Sequence, residues 1–181
     1  MKLVTRVAHG SLAALLALSI AAPAFAQDSK SGPLAKQLAA ALDAGKLDSI
    51  AANDPEAPDV FHAVLYFPGM QFLVVSGKYS VPQLLTTRLG NKEYRDIYLD
   101  LNGAATAKVF IEDPACDGLK AKRESNQPFD QAEMAGKRTM FDGEWKAQKL
   151  SEADYMKAFS AADDRYAQIL TALLAQLKKT S

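Results

Sequence analysis

The feature that most constrains the fold is a pair of strand-like segments, VFHAVLYF and MQFLVVSG, joined at Pro68-Gly69. Both are rich in β-branched and aromatic residues, and Pro followed by Gly is typical of a tight turn, so together they predict a β-hairpin. In the first segment both alternating faces are largely apolar. A strand with two apolar faces favours a barrel wall or a sheet covered by helices.

Short helical regions are predicted on both sides of this hairpin. Leucines at helical spacing between Pro33 and Gly45 predict a first helix over 33–44, and a further turn of helix is expected over 47–52. After the hairpin, a short helix is predicted over 82–89, where a glycine stops it. This short helix would cross over to the next strand.

The clearest helix closes the chain. Ser151 is a typical N-cap, Asp154 three positions later forms an approximate capping box, and an apolar stripe follows. Such a stripe is expected either to pack across a barrel or to bind a partner, for example as a homodimer contact. Asp163 interrupts the stripe, and it either faces a pocket, pairs with a base such as Arg165, or turns to solvent.

Further strands are predicted over 94–101 and 107–113, and the polar stretch 120–136 is predicted to be loop. Because Asp142-Gly143 is a favoured two-residue turn, KRTMF and EWKAQ predict a second hairpin. We therefore expect an α+β domain. It would have about six mainly antiparallel strands in a small barrel, closed or split, with an N-terminal helix, one crossover helix and a long C-terminal helix.

Residues 1–26 have the three parts of a secretory signal peptide. Lys2 and Arg6 form a basic start, an apolar run follows, and AFA supplies small residues at the cleavage site. We expect export to a bacterial periplasm or secretion, with a flexible polar lead-in at 27–32 and a single globular domain at 33–181. No later apolar run is long enough to predict a transmembrane helix.

Charge and cysteine content exclude some classes of protein. Basic and acidic residues number 21 each, and loss of the two basic residues of the signal leaves 19 against 21. A nucleic-acid binder would instead show a clustered excess of Lys and Arg. Cys116 is the only cysteine, so no internal disulfide can form, and acidic neighbours are expected to raise the pKa of its thiol.

Few residues offer catalytic or metal chemistry. His62 is the only histidine outside the signal, and no Gly-x-Ser-x-Gly elbow accompanies it. A partly buried strand histidine is the main interpretation, and a Ser-His-Asp triad is the alternative. Glu112, Asp113 and Asp117 could bind Ca²⁺, but they lack EF-hand spacing, so a solvated turn is expected and no metal is predicted.

The stretch SGKYSVP, after the first hairpin, is the best candidate for a ligand edge. Ser76, Lys78 and Ser80 place two hydroxyls and a cation before the predicted helix, and a helix N-terminus favours an anion. The spacing is not that of a P-loop, and Pro82 removes one N–H donor. A plain strand-to-helix connection is the alternative.

Several segments carry a family resemblance: HAVLYFPGMQFLVVSGKYSVPQLL, EYRDIYLDL, FDGEWKAQKLS and AADDRYAQIL. They resemble exported bacterial proteins of unassigned function. In element order the chain is also similar to flavin-binding split barrels of the pyridoxamine-phosphate-oxidase type. That similarity implies FMN as a cofactor, with its phosphate held at the matching positions, Ser76, Lys78, Ser80 and Arg88.

The sequence favours binding over catalysis. The first hypothesis is an exported small domain that binds a small ligand or a protein of the cell envelope, without a catalytic residue. The alternative is a split barrel that binds a flavin or another phosphate-bearing cofactor and has redox activity.

Overall fold

The computed structural model describes residues 29–57, 59–67, 71–79 and 105–180. In chain order its elements are α1 (Ser31–Gly45), β1 (Ser49–Asn53), β2 (Val60–Phe67), β3 (Gln71–Tyr79), β4 (Ala105–Asp113), β5 (Asp130–Met134), β6 (Lys137–Phe141) and α2 (Glu152–Thr180). The predicted signal peptide, the helix over 82–89 and the strand over 94–101 lie outside the described residues.

The six strands form one antiparallel sheet whose spatial order is the chain order, β1 to β6. This confirms the α+β prediction and the mainly antiparallel pairing. The predicted barrel is not seen, because within the described residues the sheet is open and β1 and β6 are its edges. Helices α1 and α2 cover one face of this sheet, which accounts for one of the two apolar faces of β2.

The hairpin predicted around Pro68-Gly69 is confirmed, since β2 and β3 pair antiparallel along their length. β3 continues to Tyr79 instead of ending at Ser76-Gly77, and the register with β4 shifts between these two residues. His62 on β2 lies directly opposite Ser76 on β3, and both side chains are buried. The hairpin therefore places a buried pair of polar side chains on two neighbouring strands.

The turn of helix predicted over 47–52 is wrong, because Ser49–Asn53 forms the edge strand β1. Ile50 pairs with Val64 and Ala52 with His62, so alternate residues of β1 point to the helix-covered face. An apolar period of two over so few residues is easily taken for one turn of helix.

The second hairpin uses a different turn from the one predicted. The stretch 120–136, predicted to be loop, contains β5, which pairs with β6 across Ala135-Gly136. Both turn residues have positive φ, 51° and 74°, as a type I′ hairpin turn requires. Asp142-Gly143 instead ends β6, and residues 145–149 form turns where a return strand was expected.

The core lies between the sheet and the helix pair α1 and α2. The apolar stripe of α2 is buried there, so it packs on the sheet of its own domain. Phe141 on β6 makes edge-to-face contacts with Tyr155 and Phe159 of α2, with ring centroids 5.9 and 5.4 Å apart. The buried apolar residues of α2 are Tyr155, Phe159, Ala162, Tyr166, Ile169, Leu170, Leu173 and Leu174.

The predicted cap of α2 is confirmed. The backbone N–H of Asp154 donates to Ser151 Oγ at 3.0 Å, and the Ser151 hydroxyl donates to Asp154 Oδ2 at 2.6 Å. In the part of the chain that the structure describes, no helix combines the length and the apolarity needed to cross a membrane.

Asp163 is buried, at 4% exposure, and binds the N-terminus of α1. Its carboxylate accepts hydrogen bonds from the Lys30 N–H at 2.7 Å, from the Ser31 N–H and hydroxyl at 3.1 and 2.6 Å, and from the Ser29 hydroxyl at 2.7 Å. The N-cap residue of α1 makes no side-chain cap, so Asp163 takes this role from α2. None of the three predicted roles describes this contact. Ser31 and Gly32, placed in the flexible lead-in by sequence, are buried in α1.

A close approach of two glycines fixes the loop after β4 to the same corner. Gly118 has φ +89°, and a Cβ on it would lie 2.4 Å from the backbone nitrogen of Gly32. Leu119 N–H donates to Ser31 Oγ at 3.0 Å. This loop, α1 and α2 therefore meet at one hydrogen-bonded corner.

Candidate functional site

Four polar side chains meet between the β2–β3 hairpin and α2. Ser76 Oγ lies 2.9 Å from His62 Nδ1, and on the other side of the imidazole Nε2 lies 3.2 Å from Asp54 Oδ2. Arg165 on α2 donates from Nη2 to Ser76 Oγ at 3.2 Å. We refer to Asp54, His62, Ser76 and Arg165 as the polar cluster.

Asp54 is positioned by the loop between β1 and β2. Its Oδ1 accepts hydrogen bonds from the N–H groups of Glu56, at 2.9 Å, and Ala57, at 3.2 Å, which is an Asx-type turn. Burial acts to raise the pKa of Asp54, but the amide hydrogen bonds and the interaction with His62 lower it overall. Asp54 therefore presents Oδ2 to His62 as an acceptor.

Arg165 lies on the solvent side of the cluster. Its Nη1 donates to Gln168 Oε1 at 3.1 Å and lies 3.8 Å from Asp54 Oδ2. The side chain is 26% exposed. Among the described residues, Ser76 and Gln168 accept hydrogen bonds from two of the five guanidinium N–H groups.

These contacts can all be satisfied by one tautomer of a neutral His62. Because Arg165 already donates to Ser76 Oγ, the Ser76 hydroxyl can donate to Nδ1, and the Nε2–H then donates to Asp54. Burial and the charge of Arg165 lower the pKa of His62, and they outweigh the opposite effect of Asp54. A neutral imidazole therefore satisfies every partner in the cluster.

The hydrogen-bonded series Ser76–His62–Asp54 has the same residue types as the catalytic triad of a serine hydrolase, which was the alternative interpretation of His62. Ser76 is fully buried, however, and His62 is 1% exposed, so the hydroxyl that would act as the nucleophile is closed to a substrate. A nucleophile has to reach the atom that it attacks, and Ser76 Oγ instead accepts a hydrogen bond from Arg165. His62 is a buried strand histidine, as the main interpretation predicted.

A cavity of about 500 Å³ opens beside the polar cluster. This volume lies within the range of small-molecule sites. Three members of the cluster other than Ser76 line it together with further polar residues, and alanines of α2 add apolar surface. The lining residues are Asp54, Pro55, Glu56, His62, Arg165, Ala167, Gln168, Thr171, Ala172 and Ala175.

The chain has no detected relative. No model of a known protein family matches it, and no curated protein or solved structure matches it either. The suspected relationship with exported bacterial proteins and with flavin-binding split barrels therefore stays a prediction. The chemistry of this cavity has to be inferred from its own residues.

The residues predicted to bind a phosphate are only partly described. Ser76 is a buried member of the polar cluster, and its oxygen is engaged by His62 and Arg165. Lys78 lies in β3, opposite Val60. Ser80 and Arg88 lie outside the described residues, so the predicted grouping of these four stays a prediction.

Sequence reasoning missed two members of the site. Asp54 is not singled out by the sequence, and Arg165 enters the sequence analysis only as a possible partner of Asp163. The signal that could have found Asp54 is the Asx-turn pattern, in which an Asp side chain caps the amides two and three residues later. Arg165 follows Ser76 by 89 positions, so only the packing of α2 on the sheet brings them together.

A second group of carboxyls lies in the core. Asp113 accepts hydrogen bonds from the Gly118 N–H at 2.8 Å and the Tyr166 hydroxyl at 3.1 Å. Asp130 accepts one from the Lys120 N–H at 2.7 Å. Across the described ranges, no group of three His, Cys, Asp or Glu side chains is arranged to hold a metal ion. The hydrogen bonds of Asp113 and Asp130 hold the loop between β4 and β5 in place.

Cys116 lies beside this group and is half-buried. Burial, together with the charges of Asp113 and Asp117, raises the pKa of its thiol to about 12. The predicted direction of this shift is confirmed, and Cys116 is a poor nucleophile at neutral pH.

We expect the imidazole of His62 to be neutral at pH 7, with its hydrogen on Nε2. If His9 is replaced by Gln, His62 is the only histidine, so ¹H–¹⁵N correlation spectra report on it alone. Because burial and Arg165 lower the pKa, the titration midpoint should lie below 6.5. A midpoint above 6.5, or a hydrogen on Nδ1 at pH 7, would contradict the proposed hydrogen-bond order.

Proposed function

We propose that this protein is an exported domain that binds a small molecule in the cavity beside the polar cluster. The observation that carries the proposal is Arg165, a partly exposed guanidinium at the wall of a cavity of about 500 Å³. A concave, partly apolar site with a few convergent polar groups is the usual form of a ligand pocket. The signal-like residues 1–26 support an encounter with the ligand in the periplasm or outside the cell.

Binding without catalysis is the better supported activity for this site. Asp54 and His62 are bonded to each other and to groups of the protein, and the serine beside them is buried. This network positions Arg165 through Ser76, whose oxygen accepts from the guanidinium and also bonds His62. The cluster thus acts as a fixed support for one charged recognition group.

Native mass spectrometry of the protein purified from its own organism tests this function. We expect a bound small molecule in the wild type and its loss in Ala172→Leu, in which the larger side chain occupies the cavity. Ala161→Leu is the matched control, since Ala161 is exposed on the same helix and does not line the cavity. The proposal fails if the wild type carries no molecule, or if both variants retain it equally.

A further inference from the structure

Arg165 offers the cavity hydrogen-bond donors that the described part of the protein does not use. Its acceptors there are Ser76 Oγ and Gln168 Oε1, which leaves three of five N–H groups. Asp54 Oδ2 is 3.8 Å away, beyond hydrogen-bond distance, and it already faces His62. A guanidinium with spare N–H groups is suited to a planar carboxylate, which can accept two parallel hydrogen bonds.

The same cavity also carries negative charge. Two carboxylates, those of Asp54 and Glu56, line it from the loop between β1 and β2. Asp54 Oδ2 faces His62, whereas Glu56 is exposed. A ligand that is only an anion would be repelled by Glu56, whereas a ligand with an ammonium group beside its carboxylate would be attracted by both Glu56 and Arg165. This pair of charges therefore favours a zwitterion over a simple anion such as phosphate.

The α2 wall of the cavity carries three small apolar side chains, Ala167, Ala172 and Ala175, beside the polar Gln168 and Thr171. We propose that the cavity binds a free α-amino acid with an aliphatic side chain. Its carboxylate lies on Arg165, its ammonium group is directed toward Glu56, and its side chain packs on the alanines. This inference rests on the proposed ligand-binding function and specifies the class of ligand.

Calorimetric titration of the purified protein with three matched probes tests the ligand class. L-leucine carries both charges, 4-methylpentanoate lacks the ammonium group, and 3-methylbutylamine lacks the carboxylate. We expect leucine to bind at least about tenfold more tightly than either analogue, because each lost charged hydrogen bond weakens binding by about that factor. Equal binding of leucine and 4-methylpentanoate, or no binding of leucine, would overturn the inference.

Two variants locate the two charges. Arg165→Gln should weaken leucine binding about tenfold to a hundredfold. Glu56→Gln, at an exposed position that does not threaten folding, should weaken binding of leucine but not of 4-methylpentanoate. Arg138→Gln is the control for loss of a positive charge, since Arg138 is exposed on β6 and pairs with Glu133. If Arg138→Gln weakens leucine binding as much as Arg165→Gln, the assigned site is wrong.

The test of the amino-acid ligand can fail without a failure of the proposed ligand-binding function. A native ligand of another chemical class, lost in Ala172→Leu but present in Ala161→Leu, would support the pocket and overturn the amino-acid assignment. An empty wild-type protein that also fails to bind leucine would overturn both.

Discussion

Replacing Asp163 with Ala is expected to lower the free energy of unfolding by about 3 kcal/mol or more, because several charge-assisted hydrogen bonds are lost. The change leaves the N–H groups of Lys30 and Ser31 without their acceptor at the start of α1. It also removes the link from α2 to Ser31, whose oxygen holds Leu119. For a domain of this size the melting temperature should fall by about 10 °C.

The neighbouring residue supplies the control for this experiment. Asp164→Ala removes a carboxylate of the same helix that pairs with the exposed side chain of Lys30. Exposed ion pairs contribute little to stability, so this variant should unfold like the wild type in urea. Asp163→Asn should fall between the two, since it keeps one acceptor oxygen. Equal stability of Asp163→Ala and Asp164→Ala would contradict the assigned role of Asp163.

Asp130→Asn is expected to stabilise the protein increasingly as the pH rises from 4 to 8. Burial, with the charge of Asp113 adding to it, raises the pKa of Asp130 from 3.8 to about 8. Between about pH 4 and pH 8, the Asp130 carboxyl is therefore protonated in the folded state and ionised in the unfolded state. The stability contributed by the protonated carboxyl is complete below about pH 4 and is lost as the pH rises toward 8, by about 1.4 kcal/mol per pH unit.

The asparagine variant lacks this titration, and its carbonyl can still accept the Lys120 N–H that bonds Asp130. Urea unfolding at several pH values should show a gain over the wild type that grows up to about pH 8 and then stays constant. Glu133→Gln, at a partly exposed carboxylate of the same strand that pairs with Arg138, controls for the loss of one negative charge. Parallel stability curves for the wild type and Asp130→Asn would show that Asp130 is not protonated in the native state.

Some elements could be predicted because their signals are local. The β2–β3 hairpin follows from two dense runs of β-formers, and α2 follows from its stripe and its Ser151 cap. Strand β5 was missed because its sequence, DQAEM, is short and polar at alternate positions, inside a charged stretch. The turn at Asp142-Gly143 was overvalued, since turn propensity does not reveal which neighbouring segment offers a pairing partner.

The site was less predictable than the fold. His62 and Ser76 could be singled out as residues, but their contact depends on the register of two strands. Asp54 is brought to the site by the loop between β1 and β2, and Arg165 is brought there by the packing of α2 on the sheet. Asp163 likewise looked like an irregularity in an apolar stripe, because its partners lie 132 to 134 positions earlier in the chain. Contacts of this kind are properties of tertiary packing and leave no local pattern.

The order of strands in the sheet also decides when each part of the domain can assemble. Every described strand pairs with its neighbours in the chain, so the sheet can grow by one strand at a time. The helical layer cannot form stepwise in this way, since α1 packs on α2. An isolated helix of 15 residues, the length of α1, is only marginally stable in water. If residues 1–26 direct the chain unfolded through a membrane, closure of the domain waits until its final helix has passed. In that case the sheet could form before the helical layer packs on it.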